Sequence, residues 1–424
     1  MKEETGIKPA GKLRWSLSAV LLISVIIAFF DRMNITYAIP KIALDYGWTA
    51  REIGTYGGLL MSIFYVAYGF ANIFLSPLGE KWGPRKSLML IVVLFSFFTA
   101  IQSPLGLILP AFIAARVGLG LSEGIHFPMN NTITKKWFPT NERSRANSIW
   151  ISGLFLSMIL APFVVVPIIE HWGWQNMFIV LGVMGVVITL PLLYLFIYDT
   201  PEQHPRATRE ETEYINNGLE QDEELEEKFW KSVKSFMKKD TFWLALLGGI
   251  FNNMVAYGLL SWLPTFFTEG KGLEFSNLMY ATSIPYVFSI FGIALWSYVG
   301  DKTSRRATLA GLGFIVTGII AYFATTAETV VMAVALFSVT IFVKVSYASN
   351  EFAIVQRIVP RNRIATGVGF YNGVAMILGG GLGPVVVGSV VSATGDYTMG
   401  LLSLVALSFV AGAILLVLGW RLKY

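Results

Sequence analysis

Five ionisable residues of this 424-residue chain sit deep inside long apolar stretches. They are Asp31 and Arg32 in the first stretch, Arg116 and Glu123 in the fourth, and Lys344 in the tenth. A charge at the centre of a bilayer costs about 2.5–3.5 kcal/mol on insertion scales, so each should face a wet space or a partner. Two chemistries fit these types. A buried carboxyl can take up and release a proton, because burial favours its neutral form and a nearby guanidinium its charged form. Guanidinium and ammonium groups can hold an anion. If Asp31 or Glu123 approaches Arg116 in one conformation and leaves it in another, its proton affinity follows the conformation. A purely structural salt-bridge network is disfavoured, because desolvation can exceed the Coulombic gain and apolar residues would hold the helices better.

The elements that must position these residues are membrane helices. Hydrophobic residues make up 54% of the chain and charged residues 14%, too few charges to cover a soluble protein of this length. About 20 apolar residues are needed per crossing. The pattern predicts twelve spans at about 15–39, 53–78, 87–103, 107–130, 147–169, 174–198, 241–267, 277–299, 307–325, 329–352, 364–392 and 397–420. The first is too long for a signal peptide and lacks a small-residue cleavage site, so it reads as a true span. The absence of cysteine excludes disulfides and thiolate metal sites, and His126, His171 and His204 have no zinc-ligand spacing. No metal, cofactor or enzymatic activity is expected. The net charge of +5 comes from lysines and arginines dispersed among loops, which points to orientation in a membrane and not to nucleic acid.

Landmarks recur 221 positions apart. Phe30-Asp31-Arg32-Met33 has its counterpart in Phe251-Asn252-Asn253-Met254, Glu80-Lys81 in Asp301-Lys302, and Pro139 with Asn141 in Pro360 with Asn362. Glu123 itself is matched by Lys344. One offset shared by loops and spans means two copies of a six-span unit, the build used for alternating access. The predicted fold is therefore an all-α integral membrane protein, twelve helices in two pseudo-symmetric six-helix bundles. Its parts are 1–198, a polar linker at 199–240 with an acidic run (Glu210 to Glu227), and 241–424. Loops on one side hold thirteen basic residues, among them Lys81, Arg85, Lys135, Arg143, Lys302, Arg306, Arg357 and Arg363, against Lys41, Arg51 and Lys271 opposite. By the positive-inside rule both termini and the linker are cytoplasmic, and a cell (inner or plasma) membrane is the expected location.

With charge confined to spans 1, 4 and 10, those spans should line one central space, joined through the repeat by span 7 with Asn252 and Asn253. Arg32 and Lys344 would supply positive charge from opposite bundles, and Asn252 and Asn372 are further candidates for substrate contact. Lys344 is expected to meet the anionic substrate, or else Glu123. Glu351, near the end of span 10, reads as a surface or gate residue, and His126 as a packing residue. Glu80 with Arg85, and Asp301 with Arg305, are placed to latch helix ends on the cytoplasmic face.

The loop run Glu80-Lys81-x-Gly83-x-Arg85-Lys86 resembles the helix 2–3 signature of the major facilitator superfamily, and the likeness covers nearly the whole chain. More specific is Arg116-x-Gly118-x-x-x-x-Glu123-Gly124-x-x-Phe127-Pro128-Met129-Asn130-Asn131, followed by Trp137-Phe138-Pro139-x-x-Glu142-Arg143. With Asp31-Arg32 and Tyr68, it is similar to the anion:cation symporter family, which includes hexonate and hexuronate transporters, sialin and the vesicular glutamate carriers. That resemblance implies proton-coupled symport of a small organic anion, a sugar acid or other carboxylate, by a monomer needing no cofactor. Asp31 and Glu123 would handle protons, Arg116 would be their switching partner, and Arg32 and Tyr68 would line the cavity. The alternative is an anion exchanger or uniporter of the same fold, including an organophosphate antiporter, although Asn252-Asn253 stand where that would want arginine. Leu154 after Ser152-Gly153, Lys344 and Phe352 depart from the family's pattern, so the substrate pocket is expected to be rebuilt.

Overall fold

The computed structural model describes residues 11–219, 229–360 and 363–422. It is helical throughout, with no strand among the described residues. Nine uninterrupted stretches are long and apolar enough to cross a membrane: α1 Leu13–Tyr46, α2 Ala50–Phe74, α3 Pro84–Leu105, α7 Asp240–Gly270, α8 Phe275–Thr303, α9 Arg306–Thr326, α10 Val330–Ile358, α11 Gly367–Thr394 and α12 Tyr397–Arg421. A tenth, Thr140–Phe196, turns at Gly173, where φ is 82°, and so makes two spans, α5 (140–172) and α6 (174–196). The remaining span, α4, runs over Leu109–Glu123, breaks, and resumes over His126–Trp137. Twelve spans result, as the hydrophobic pattern predicts. α1 outruns its predicted end at residue 39 because Pro40 is absorbed within the helix, which stops only at left-handed Gly47.

The duplication is visible in the helix ends. Trp82 and Thr303, Leu105 and Thr326, Leu109 and Val330, and Trp137 and Ile358 each close or open equivalent helices 221 positions apart. Asn362, the loop residue expected to repeat Asn141, lies outside the described residues, as do Arg361 of the basic loops and the acidic run 220–227.

Between the bundles, α2 lies along α11 and α5 along α8. At the ends remote from the termini the α2–α11 contact is backbone on backbone. A methyl group at Gly54 would come within 2.5 Å of the Gly388 carbonyl oxygen, and one at Gly388 within 2.3 Å of the Gly54 carbonyl. Small residues let membrane helices approach this closely. Around this seam Thr55 and Ser392 share a hydrogen bond of 2.8 Å, Trp262 donates to the Pro384 carbonyl at 2.9 Å, and Ser283 of α8 donates to the Ile159 carbonyl of α5 at 2.8 Å. The bundles are thus sealed on the face away from the termini.

On the opposite face the linker segment docks on the first bundle. Thr208 caps the helix Arg209–Asn217. From that helix Glu211 accepts a hydrogen bond from buried Arg14, which also donates to Glu142 of α5 at 2.7 Å. Tyr214 donates to the same Glu142. His204 packs edge-on against both Tyr198 and Trp137; burial, together with Arg206 and Arg85, holds its pKa below the ordinary imidazole value.

The chain has no cysteine, so a pair introduced at Thr55 and Ser392 reports on the sealed seam alone. The T55C/S392C protein is expected to cross-link spontaneously and lose transport, with recovery on reduction. A cross-linked protein that still transports would show that this seam need not open.

Candidate functional site

α4 reaches α2 through small residues. Methyl groups added at Gly120 and Gly124 would fall 2.4 and 2.3 Å from the carbonyl oxygens of Phe64 and Tyr68. That closeness carries Glu123 into the wall made by α1 and α2. Asp31, Arg32, Arg116 and Glu123 are all buried, none more than 4% exposed. Arg32 donates from Nη2 to Glu123 Oε2 at 3.2 Å. Its guanidinium carbon lies 4.2 Å from the ring centre of Phe29, 4.4 Å from that of Tyr68 and 5.3 Å from that of Phe64. Arg116 lies 5.1 Å from the centre of that same Phe64 ring, and donates to the Leu60 carbonyl at 3.1 Å and to Asn34 at 3.5 Å. Two cations therefore share one aromatic ring, whose electron-rich face offsets part of their desolvation.

Neither carboxylate oxygen of Asp31 accepts a hydrogen bond among the described residues, nor does Glu123 Oε1. The Thr99 hydroxyl is the donor side chain beside Asp31, and Glu123 and Arg116 lie within Coulombic reach of it. The expected charge network thus exists, with Arg32, not Arg116, as the ion-pair partner of Glu123. Arg116 is held instead by a backbone carbonyl and Asn34. His126 is buried and shares a hydrogen bond of 2.8 Å with Ser24.

The second bundle faces this cluster with tyrosines. Tyr257 of α7 packs against Tyr65 of α2 with ring centres 4.5 Å apart. Tyr257 lies within electrostatic reach of both Arg32 and Glu351. Glu351 is half-buried and accepts from the Tyr371 hydroxyl at 2.7 Å; that hydroxyl is 2.6 Å from Tyr347's. Glu351, expected at the surface or at a gate, is turned inward onto α11: it opens the second segment of α10, where the chain bends at Ser349–Asn350. Lys344 is also half-buried and has Glu351, not Glu123, as its electrostatic neighbour. Asn252 donates to Asn253 at 3.1 Å and keeps a buried, unpartnered Oδ1; Asn372 is half-buried on α11.

The helix-end motifs are built differently from one another. Asp301 pairs with Arg306, while Arg305 is exposed. Glu80 accepts from Thr132 at 3.1 Å. Arg85 engages the end of α6: its backbone N–H donates to Asp199 at 2.8 Å, its side chain donates to the Tyr194 carbonyl, and its guanidinium stacks on Tyr198. Asp199 thereby places a negative charge at the N-terminus of α3, where the helix dipole favours it. Sequence reasoning missed Asp199, Phe64, Tyr257, Tyr347 and Tyr371. The repeat offered a signal for two of the second bundle's residues, since Tyr347 and Glu351 stand 221 positions after His126 and Asn130.

Two repeated six-helix bundles with a charged cluster buried on the helices that meet are the build of a membrane transporter. The chain belongs to the Major Facilitator Superfamily, whose pattern it matches over residues 21–384. It is 28% identical over 298 residues to the "Probable sulfoacetate transporter" of Cupriavidus necator, covering 70% of this chain and 66% of that protein. It is 24% identical over 405 residues to the "Probable L-galactonate transporter" of Escherichia coli, covering 92% and 86%. A "Probable galactarate/D-glucarate transporter" of Bacillus subtilis matches at 23% over 422 residues, covering 93% and 90%. These relatives fit the anion:cation symporter branch, and they are transporters, not enzymes. In fold the chain superposes on an inward-facing bacterial homologue of the lysosomal transporter Spinster with a TM-score of 0.83, at 18% identity over 98% of this chain and 99% of that one.

Removing Glu123 alone would leave Arg32 buried without its counter-charge, a loss of about 3–5 kcal/mol. Glu123→Leu is expected to lower the thermal unfolding midpoint in detergent markedly, and Arg32→Leu with Glu123→Leu to restore part of it. Equal midpoints for wild type and the single variant would show that the pair does not hold the bundle.

Proposed function

We propose that the protein is a secondary active transporter that carries a small organic anion together with protons by alternating access. The observation that carries this reading is the pairing in the first bundle: Glu123 is held by Arg32 while Asp31, equally buried, forms no ion pair among the described residues and has only the Thr99 hydroxyl beside it. Such a cluster holds one more acid–base group than its geometry satisfies. An anion entering beside Arg32 competes with Glu123 for the guanidinium, and a carboxylate so displaced is stabilised by a proton. Binding and protonation are then favourable together, the condition for symport. Names of the relatives support an organic acid as cargo: sulfoacetate, galactonate, galactarate and glucarate all carry a carboxylate.

In this reading 1–198 and 241–424 are the moving bodies, tied by 199–240. Tyr68, Arg32, Asn252, Lys344 and Asn372 form the substrate surface, and Glu80, Arg85, Asp301 and Arg305 serve the gate. The basic loops orient the termini to the cytoplasm in a cell membrane, so the seam at Gly54 and Gly388 is the external gate.

Asp31→Asn and Glu123→Gln preserve size and abolish titration, which separates coupling from recognition. In proteoliposomes each is expected to lose accumulation driven by an inward proton gradient while retaining anion exchange. If both accumulate at the wild-type level, neither carboxylate couples and a uniporter or exchanger is the better description.

A further inference from the structure

The symport reading places Lys344 on the substrate surface without naming the charge it meets there, and leaves Glu351 unused. Lys344 makes no hydrogen bond or ion pair among the described residues and is half-buried. Its nearest countercharge is restrained elsewhere: Tyr371 donates to Glu351 at 2.7 Å, and the adjoining Tyr347 hydroxyl, 2.6 Å from that of Tyr371, extends the network. A lysine whose carboxylate is pinned by other donors is free to take a ligand. Across the interface the corresponding cation, Arg32, is already engaged by Glu123. Tyr257 packs against Tyr65 and is within electrostatic reach of Arg32 and Glu351 alike. Each bundle therefore presents one cation–carboxylate couple, Arg32 with Glu123 and Lys344 with Glu351, and Tyr257 is a neighbour of both.

Resting on the symport reading above, we propose that the cargo is a dianion, an organic acid with a second acidic group at its far end, one charge held by Arg32 and the other by Lys344. A monoanion held at Arg32 would leave Lys344 facing only a pinned carboxylate. A dianion of suitable length engages both bundles at once and links them, and differential contact of this kind is what shifts a two-state carrier. When the site is empty, Glu351 supplies the negative charge that the second acid group supplies in the complex. Lys344 is on this account a specificity residue, and Glu351 a positioning residue for the unloaded carrier.

The full chain in proteoliposomes would be tested by counterflow with matched pairs: succinate against succinamate, and galactarate against galactonate. The dianion of a pair is expected to be favoured by about tenfold in apparent affinity, the worth of one additional ion pair of about 1.4 kcal/mol. Lys344→Gln should erase that preference by weakening the dianion alone, and Lys344→Arg should keep it. Glu351→Gln should leave dianion exchange intact and slow net uptake, which requires return of the empty carrier. Equal or better transport of the monoanions overturns the inference while leaving organic-anion symport standing, as does an equal loss for both members in Lys344→Gln. Transport of no member of either pair overturns the dianion assignment. A separate trial with acetate, lactate and gluconate then decides the broader reading, which fails if none of these moves.

Discussion

A guanidinium buried among aromatic rings, answered by one carboxylate, sets the terms for the rest of this molecule. Arg32 could not be placed in an apolar helix without both Glu123 and the faces of Phe29, Phe64 and Tyr68. The ion pair requires α4 to lie close to α1 and α2, and that closeness requires Gly120 and Gly124 where any side chain would strike the α2 backbone. Sharing Phe64 allows a second guanidinium, that of Arg116, to sit nearby in spite of like-charge repulsion. Once two cations and Glu123 are fixed, Asp31 is left as a buried carboxyl without an ion-pair partner among the described residues, the group the symport reading assigns to the proton. Chemistry of this kind is conformation-sensitive because the helices that carry it are packed by backbone and not by adaptable side chains.

The duplicated bundles have diverged in how they hold charge. At equivalent positions the first bundle has Glu123 and the second Lys344, and the first has His126 where the second has Tyr347. The first cluster is buried and pairs Arg32 directly with Glu123. The second is half-exposed and restrains Glu351 through two tyrosine hydroxyls. A site formed between such halves is polar along its length: one end already satisfied internally, the other awaiting a partner. Two unlike halves also distinguish the ends of a substrate, which a symmetric pocket could not.

Span number, repeat offset and the identity of the charged helices were legible in the sequence because each depends on local composition. Hydrophobic length fixes a span, and a charge within one is conspicuous. Which charges pair was not legible. Glu123 could be assigned to Arg116 on its own helix by spacing, but the partner found is Arg32 on α1, selected by how closely Gly120 and Gly124 bring the helices together. The inward turn of Glu351 was not legible for a related reason: the bend at Ser349–Asn350 redirects its side chain, and nothing at one position announces a hydroxyl supplied from twenty residues further on by Tyr371. The aromatic residues around Arg32 were hidden by their abundance, since 31 phenylalanines and 17 tyrosines offer no contrast in an apolar chain.

α2 is where gate and charge cluster become one problem. Its outer end forms the glycine seam with α11, its middle carries Phe64 between the arginines and Tyr65 against Tyr257, and its inner half meets α11 again where Gly69 faces Ile377. A rigid helix cannot open the seam at Gly54 without moving Phe64 and Tyr65 relative to α7 and α11. In the alternating-access reading, rocking of the bundles would separate Tyr65 from Tyr257. The reverse also holds. A ligand that draws Arg32 and Lys344 together acts on the same contact from within, and so biases the seam some turns away. Coupling of this sort needs no relay of side chains, because one helix bears both the hinge surface and the ring that the two cations share.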